Sequence, residues 1–169
     1  MSEVQTSCRE IRFAGGRARA RFIRHLDHSP EAVWAVLTEP GRICDWLAPG
    51  RIELTPGGAV RLDFADSGII IDSTVSELKP GEVLEYSWSQ PGQPLRPLRW
   101  TVTARPGGTT LGLELSEPDD EDIARSCAGF DAHLDMLEAA LEGVAIRFPF
   151  PRFLAYREAY KGLAATARG

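Results

Sequence analysis

The chain has 169 residues, 43% of them hydrophobic and 25% charged, which is the balance of an ordinary globular protein with a hydrophobic core. Its formal net charge of -5 at pH 7 argues against a nucleic-acid partner, because proteins that bind nucleic acid usually present a basic surface. The longest apolar runs are only a few residues long, so no segment is expected to span a membrane.

The first predicted element is a strand that follows a loose lead-in. Residues 1–15 show no steady period and end in two glycines. From position 17 to 26 the sequence alternates, so Phe22, Leu26 and, by the same parity, Arg24 are expected on the inward face of a strand. Two environments are open for Arg24: a pocket, or a sheet edge from which its aliphatic stem reaches water.

Two short helices are predicted next. Ser29 can cap the free amides of a helix that starts at Pro30, and Glu31 complements the positive end of that helix. Pro40 disfavours helical geometry at the residue before it, so the first helix ends there. A second short helical turn is expected over residues 42–47.

The middle of the chain predicts an antiparallel sheet. Hydrophobic and polar residues alternate along four segments, and Pro-Gly turn signals lie between the alternating runs. The alternating segments are residues 60–64, 84–89, 98–104 and 111–115. One wet face and one buried face indicate that another layer covers one side of the sheet.

A change of period then predicts one long helix. After the acidic stretch 117–122, which can cap a helix start, apolar residues recur at spacings of three and four over residues 120 to about 142. The apolar stripe consists of Ile123, Cys127, Phe130, Leu134, Leu137 and Leu141. Only the inner sheet face is available to bury this stripe, so we expect the helix to close over a curved sheet and to leave a small apolar pocket.

The last segment, residues 144–169, is predicted to be a C-terminal extension packed on the body. Its Phe-Pro-Phe-Pro motif at 148–151 indicates a rigid connector, followed by a short terminal helix. No second domain or internal repeat is evident, so residues 1–169 are expected to form a single domain.

The three cysteines, Cys8, Cys44 and Cys127, are far apart in the sequence and form no Cys-x-x-Cys pair. A disulfide framework or a zinc site is therefore not expected, and a reducing cytoplasm fits this cysteine usage better. The N-terminus lacks the basic and apolar regions of a signal peptide, in keeping with a cytoplasmic location. Phosphate-loop, dinucleotide-binding, nucleophile-elbow and zinc-protease motifs are also missing, so no cofactor, metal site or catalytic residue is predicted.

The candidate site is therefore a set of side chains that share the inward parity. Core packing alone can explain the aromatic members, but large rings with polar tips are also typical of a small-molecule pocket. His133 borders the inward stripe, where it could donate to a ligand oxygen, act as a general acid–base, or simply bond to a neighbour. The candidate ligand-binding residues are Arg24, Trp46, Phe64, Tyr86, Trp88, Trp100, Phe130 and His133.

Several stretches resemble the activator-of-heat-shock-protein-90-ATPase-like branch of the START-like (SRPBCC) superfamily. They are residues 22–26 (FIRHL), 28–40 (HSPEAVWAVLTEP), 45–46 (DW), 57–62, 84–88 (LEYSW), 128–137 (AGFDAHLDML) and 141–143. The resemblance covers roughly residues 17–165. It implies an α+β helix-grip fold: two short helices after the first strand, and a curved antiparallel sheet of about six or seven strands around a long C-terminal helix. Phe130 stands where the family usually has Trp, which implies a different pocket shape.

Three functions follow from these observations and the resemblance. The first is binding of a small hydrophobic or aromatic molecule, such as a lipid, a polyketide or a flavonoid-like compound, without specific catalysis. The second is a cyclase or hydrolase in which His133 or Arg24 polarises a substrate carbonyl. The third is a stress-response or protein-interaction module in which the segment 148–151 and the C-terminal aromatic residues form a homodimer contact.

Overall fold

The computed structural model describes residues 4–64 and 67–169. One antiparallel sheet has eight strands in the spatial order β1-β2-β8-β7-β6-β5-β4-β3. The strands are β1 (Cys8–Ala14), β2 (Arg17–Leu26), β3 (Gly50–Ile52), β4 (Ala59–Phe64), β5 (Ile69–Lys79), β6 (Val83–Ser87), β7 (Pro97–Arg105) and β8 (Gly108–Pro118). The helices are α1 (Pro30–Thr38), α2 (Pro40–Ile43), α3 (Ile123–Leu141) and α4 (Phe150–Arg168).

The sheet has more strands than the six or seven that were expected. Residues 8–14 form the edge strand β1 rather than a loose lead-in, and the three-residue strand β3 had no clear alternation. Gly15 and Gly16 have φ angles of 60° and 76°, which only glycine adopts easily, and they connect β1 to β2 as a tight hairpin. Because β1 pairs on one side only and is mostly exposed, its sequence does not alternate clearly.

The helix predictions are confirmed for α1 and α3 and need correction for α2 and α4. The second short helix covers Pro40–Ile43 rather than residues 42–47, because proline suits the first position of a helix. The Ala32 amide donates to the Ser29 hydroxyl at 3.1 Å, and the Arg125 amide donates to Asp122 Oδ1 at 3.1 Å, so both expected caps are present. The terminal helix α4 has 19 residues and is as long as α3, not short. Its buried residues Tyr156, Tyr160 and Ala164 are spaced by four, and this sparse stripe faces α3 and β1.

The core lies between the inner sheet face and α3. The inward residues of β2, β7 and β8 and five of the six predicted stripe residues of α3 are buried. Burial of each large apolar side chain contributes about 2 kcal/mol, so this interface holds α3 on the sheet. Within the part of the chain that the structure describes, no helix is long and apolar enough to cross a membrane.

Candidate functional site

A cavity of about 690 Å³ lies between the sheet and α3, near the point where β8 leads into α3. Its walls come from the adjoining ends of β4 and β5, the loop after β6, the end of β8, the first half of α3 and the start of α4. This volume lies within the usual range of small-molecule sites. The cavity is therefore the candidate site of the protein.

Aromatic rings form a continuous chain along this cavity. Trp88 contacts Phe64 and Phe130, with ring centroids 5.7 and 5.2 Å apart. Phe64 contacts the His133 ring at 6.1 Å, and His133 contacts Phe148 at 5.3 Å. The first three pairs are edge-to-face, the preferred arrangement of aromatic pairs. The sheet, α3 and the segment before α4 thus share one aromatic wall.

The start of α4 extends this wall towards the surface. Phe153 lies 5.6 Å from Phe148 and 5.9 Å from Phe150, measured between ring centroids. Phe150 is 58% exposed, and Ile69 on β5 is 50% exposed, so apolar side chains remain accessible at the edge of the cavity. An apolar molecule could contact these side chains before it enters.

Gly129 leaves space on the α3 wall. It lies inside the helix and lines the cavity, and a Cβ atom built at this position would meet no atom within 4 Å. Glycine inside a helix costs roughly 1 kcal/mol relative to alanine. Since no neighbouring backbone requires a glycine here, its effect is to widen the cavity.

Glu117 supplies a buried carboxyl group to the lining. It is 3% exposed, and its Oε2 atom has no hydrogen-bond partner among the described residues. The neighbouring carboxylate of Glu121 differs, because both of its oxygens accept hydrogen bonds of 2.6 Å from Arg96. A buried carboxyl oxygen without a partner costs free energy, so Glu117 is a polar group of the cavity lining that a bound molecule can satisfy.

The surroundings of Glu117 disfavour its charged form. Burial raises its pKa, and the nearby carboxylates of Glu121 and Asp122 add to this rise. The Ser126 hydroxyl and the Arg96 guanidinium act in the opposite direction without cancelling it. Glu117 therefore takes up a proton more readily than an exposed glutamate.

His133 lines the cavity as a neutral ring. Its Nδ1 atom lies 2.8 Å from the carbonyl oxygen of Trp46, and a carbonyl only accepts, so Nδ1 carries the proton. Burial lowers the pKa of His133, against a smaller opposing effect of this bond, so the ring is neutral at pH 7. Its Nε2 atom is then a hydrogen-bond acceptor. One role considered from the sequence was donation of a hydrogen bond to a ligand oxygen, and the neutral ring cannot do this.

Three of the predicted site residues lie in the core and do not line the cavity. Trp46, Tyr86 and Trp100 are each 1% exposed. The Trp46 indole N–H donates to the Val36 carbonyl at 2.7 Å, and its ring meets Trp100 edge to face at 5.7 Å. These three side chains belong to the hydrophobic core and are not part of the aromatic wall.

Arg24 is outside the cavity lining as well, in a network of acidic groups. Its guanidinium nitrogens lie 2.9 Å from Asp131 Oδ1, 2.9 Å from Asp135 Oδ1 and 2.7 Å from Glu138 Oε2. Burial opposes its charge, but these carboxylates outweigh burial and raise the pKa of Arg24. Neither environment considered from the sequence applies, because Arg24 joins β2 to α3 instead of facing a pocket or water.

The structure thus brings four of the eight predicted residues together: Phe64, Trp88, Phe130 and His133. Sequence reasoning missed Glu117, which was assigned to an acidic helix start. The signal was present, because Glu117 continues the inward parity of Leu111, Leu113 and Leu115 on β8. It also missed the contribution of Phe148 and Phe153, for which no local pattern existed.

The cysteines and the metal-ligating side chains offer no further site. Cys8 and Cys127 are both free, and the Cys8 thiol donates to the Glu10 carbonyl at 3.2 Å. The contact with Cys8, together with burial, raises the pKa of Cys127, so this thiol is not a nucleophile at neutral pH. Within residues 4–64 and 67–169, no group of three or more His, Cys, Asp or Glu residues could hold a metal ion.

Solved structures of other proteins share this fold. A conserved protein of unknown function from Enterococcus faecalis, EF2215, superposes with a TM-score of 0.79 at 18% identity, over 94% of this chain and 91% of that one. CalU16 from Micromonospora echinospora has a TM-score of 0.74 at 21% identity, over 87% of this chain and 88% of that one. At these identities the likeness shows the fold alone.

DynU16, a protein in the dynemicin biosynthetic locus, is 28% identical with a TM-score of 0.69, over 75% of this chain. The match spans only 48% of that chain, about half its length. A search of curated proteins found none that is significantly similar to this sequence.

A family model matches residues 27–142, which include α1, α2, strands β3 to β8 and α3. This range is more than half of the chain, and it contains the stretches 28–40 and 128–137 that carried the resemblance in the sequence. The chain therefore belongs to the Activator of Hsp90 ATPase homolog 1-like family, with the α+β fold that this family shares with the SRPBCC superfamily.

Proposed function

We propose that this protein binds a small hydrophobic or aromatic molecule in the cavity between the sheet and α3. The observation that carries the proposal is the continuous chain of contacting rings from Phe130 through Trp88, Phe64 and His133 to Phe148. Rings that only filled a core would be fully enclosed by other side chains. Here they border open space of about 690 Å³.

Gly129 supports the same proposal. Unlike the other helical glycines, Gly129 lines the cavity, and the missing side chain leaves space there for another molecule. The place of DynU16 in a biosynthetic locus is consistent with a biosynthetic small molecule as the ligand. Binding is favoured over carbonyl polarisation, because Arg24 is fully engaged by carboxylates and His133 is neutral.

The test is to fill the cavity from the α3 side. We expect Gly129→Leu to weaken binding of the neutral fluorophore 1-aminoanthracene at least tenfold, about 1.4 kcal/mol, because the new side chain occupies the ligand volume. The same change should keep or raise the free energy of unfolding in urea, by up to about 1 kcal/mol, because leucine is a better helix former than glycine. Fluorescence titration and urea unfolding measure the two effects.

The matched control is Gly162→Leu in α4. Like Gly129, Gly162 lies inside a helix, and a Cβ atom built there meets no atom within 4 Å. Gly162 is exposed and does not line the cavity. This variant should show a similar gain in stability and unchanged probe binding. A wild-type protein that does not bind the probe, or a Gly129→Leu variant that binds it normally, would contradict the proposal.

A further inference from the structure

The cavity is not uniformly apolar. Aromatic and aliphatic side chains of β4, β5, α3 and the segment before α4 line most of it, whereas its polar groups collect where β8 leads into α3. In that polar region the arginine Arg96 is already bound by Glu121 on both carboxylate oxygens. Arg125 is exposed there, and its backbone amide caps onto Asp122.

Glu117 is the exception among these polar groups. Its side chain is almost completely buried, and Oε2 has no partner within the described residues. The backbone of Glu117 is held in register opposite Ala18 of β2, which is fully buried, so the carboxyl group cannot easily turn out to solvent. Glu117 thus lines the cavity with a carboxyl group that keeps one hydrogen-bonding oxygen unused.

We propose that Glu117 is the polar anchor of the cavity and binds the hydroxyl group of an otherwise apolar, aromatic ligand of the phenol or naphthol type. This inference rests on the proposed function and narrows its ligand class. A ligand hydroxyl can bond to the Glu117 carboxyl group, while the ligand ring lies against the rings of Trp88 and Phe130. The aromatic wall and the anchor then recognise different parts of the same molecule.

A hydroxyl group fits the anchor better than a charged group does. Burial raises the pKa of Glu117, and a hydroxyl can bond to a carboxyl group in either protonation state, because it both donates and accepts. An ammonium group would lie close to Arg96 and Arg125, and a carboxylate would meet Glu117, Glu121 and Asp122. The neutral donor avoids both repulsions.

The experiment compares two probes of nearly the same shape by equilibrium dialysis at pH 7: 2-naphthol and 2-methylnaphthalene. We expect wild-type protein to bind 2-naphthol about tenfold or more tightly than 2-methylnaphthalene, the usual range for a hydrogen bond to a carboxylate. In Glu117→Leu the preference should fall to about one, while 2-methylnaphthalene still binds. Glu117→Leu should also melt at a higher temperature, since a buried unpartnered carboxyl group has been replaced by an apolar one.

Two further variants secure the interpretation. Glu114→Leu, on the exposed face of the same strand, should keep the wild-type preference for 2-naphthol. Glu117→Gln keeps the size and an acceptor oxygen, so it should retain part of the preference even if Glu117→Leu does not fold. Loss of the whole preference in Glu114→Leu, or an undiminished preference in Glu117→Leu, overturns the assignment.

The outcomes also separate this inference from the proposed function. Equal binding of both probes by wild-type protein overturns the anchor and leaves the apolar cavity standing as a ligand site. Tighter binding of 2-naphthylmethylammonium or 2-naphthoate than of 2-naphthol overturns the choice of a neutral hydroxyl. If neither neutral probe binds and 1-aminoanthracene also fails, the proposed function itself is wrong.

Discussion

Burial shifts the pKa values of two cavity side chains, Glu117 and His133, in opposite directions for the same physical reason. Removal from water disfavours the charged form, so the pKa of the acid rises and the pKa of the base falls. Both groups therefore tend towards neutrality inside the cavity. A neutral lining suits a ligand that carries no formal charge.

The lowered pKa of His133 predicts a defined pH dependence of stability. In the folded state this ring binds a proton less readily than in the unfolded chain, so the unfolded state gains more protons as pH falls through about 6.5 and below. The contribution of His133 to stability is thus present at pH 7.5 and is lost on acidification. We expect the free energy of unfolding to decline less between pH 7.5 and 5.5 in His133→Gln than in the wild type.

Urea unfolding at both pH values measures this difference, and the comparison with wild type cancels the opposite contribution of Glu117. His25→Gln is the control, because His25 is exposed at the sheet surface and bonds only to Thr110 at 3.1 Å. An equal decline in wild type and His133→Gln would show that burial does not hold this ring neutral.

At the scale of single elements, α4 shows where periodicity alone misleads. Its Tyr156 and Tyr160 are buried against the body of the same chain, which favours intramolecular packing over an intermolecular contact. Phe150 and Leu154 remain exposed, so a homodimer contact through them stays a prediction. A helix that buries only three side chains carries a weak apolar stripe, and its length was underestimated for this reason.

The packing of α4 on the rest of the protein can be tested by comparing substitutions at a buried and an exposed residue, Tyr160 and Leu163. The Tyr160 hydroxyl donates to Asp131 Oδ2 and accepts from the Cys8 amide at 3.1 Å, and its ring packs on Phe22 at 6.2 Å. We expect Tyr160→Ala to lower the free energy of unfolding by about 3–5 kcal/mol, because it removes a buried ring, takes the acceptor from the Cys8 amide and removes one donor from Asp131.

Leu163→Ala, three residues further along α4, is the matched control. Leu163 is 44% exposed, so its truncation should cost less than about 1 kcal/mol in the same urea titration. Similar losses in the two variants would mean that α4 does not pack through the Tyr160 face.

At the scale of the whole molecule, Asp131 joins three elements and the segment before β1. It is fully buried on α3 and accepts hydrogen bonds from the Ser7 amide, from Tyr160 on α4 and from Arg24 on β2. The family model begins at residue 27 and ends at residue 142, so all three donors lie outside it. One buried carboxylate of the family core therefore contacts both flanking segments, in addition to the pairing of β2 with β8 and the packing of α4 on α3.

Removal of this carboxylate should loosen the whole assembly. We expect Asp131→Ala to reduce the free energy of unfolding by about 3 kcal/mol or more, because the Ser7 amide and the Tyr160 hydroxyl lose their buried acceptor and Arg24 loses one of its carboxylate partners. Glu138→Ala removes another partner of Arg24 at a site that is 46% exposed and should cost less than about 1 kcal/mol. Urea unfolding of the two variants measures both losses. A loss for Asp131→Ala as small as that for Glu138→Ala would mean that Asp131 contributes no more than a surface ion pair does.

The sequence by itself determined the α+β class, most elements and the inward parity of most strands. These properties depend on local spacing, since a period of two or 3.6 shows which face of an element is apolar. The close fit of residues 120–142 to α3 illustrates this, and Glu117 could have been found by the same parity.

Only the tertiary structure decided which inward residues line the cavity. Trp100 and Trp88 share the inward face of the sheet, yet Trp100 fills the core and Trp88 borders open space. Alternation along a strand shows which face of the sheet a side chain is on. It does not show the distance between the sheet and α3, and this distance changes because the sheet is curved. The partners of Arg24 were hidden for a related reason: Asp131 and Asp135 meet it only after a helix more than a hundred residues later has docked.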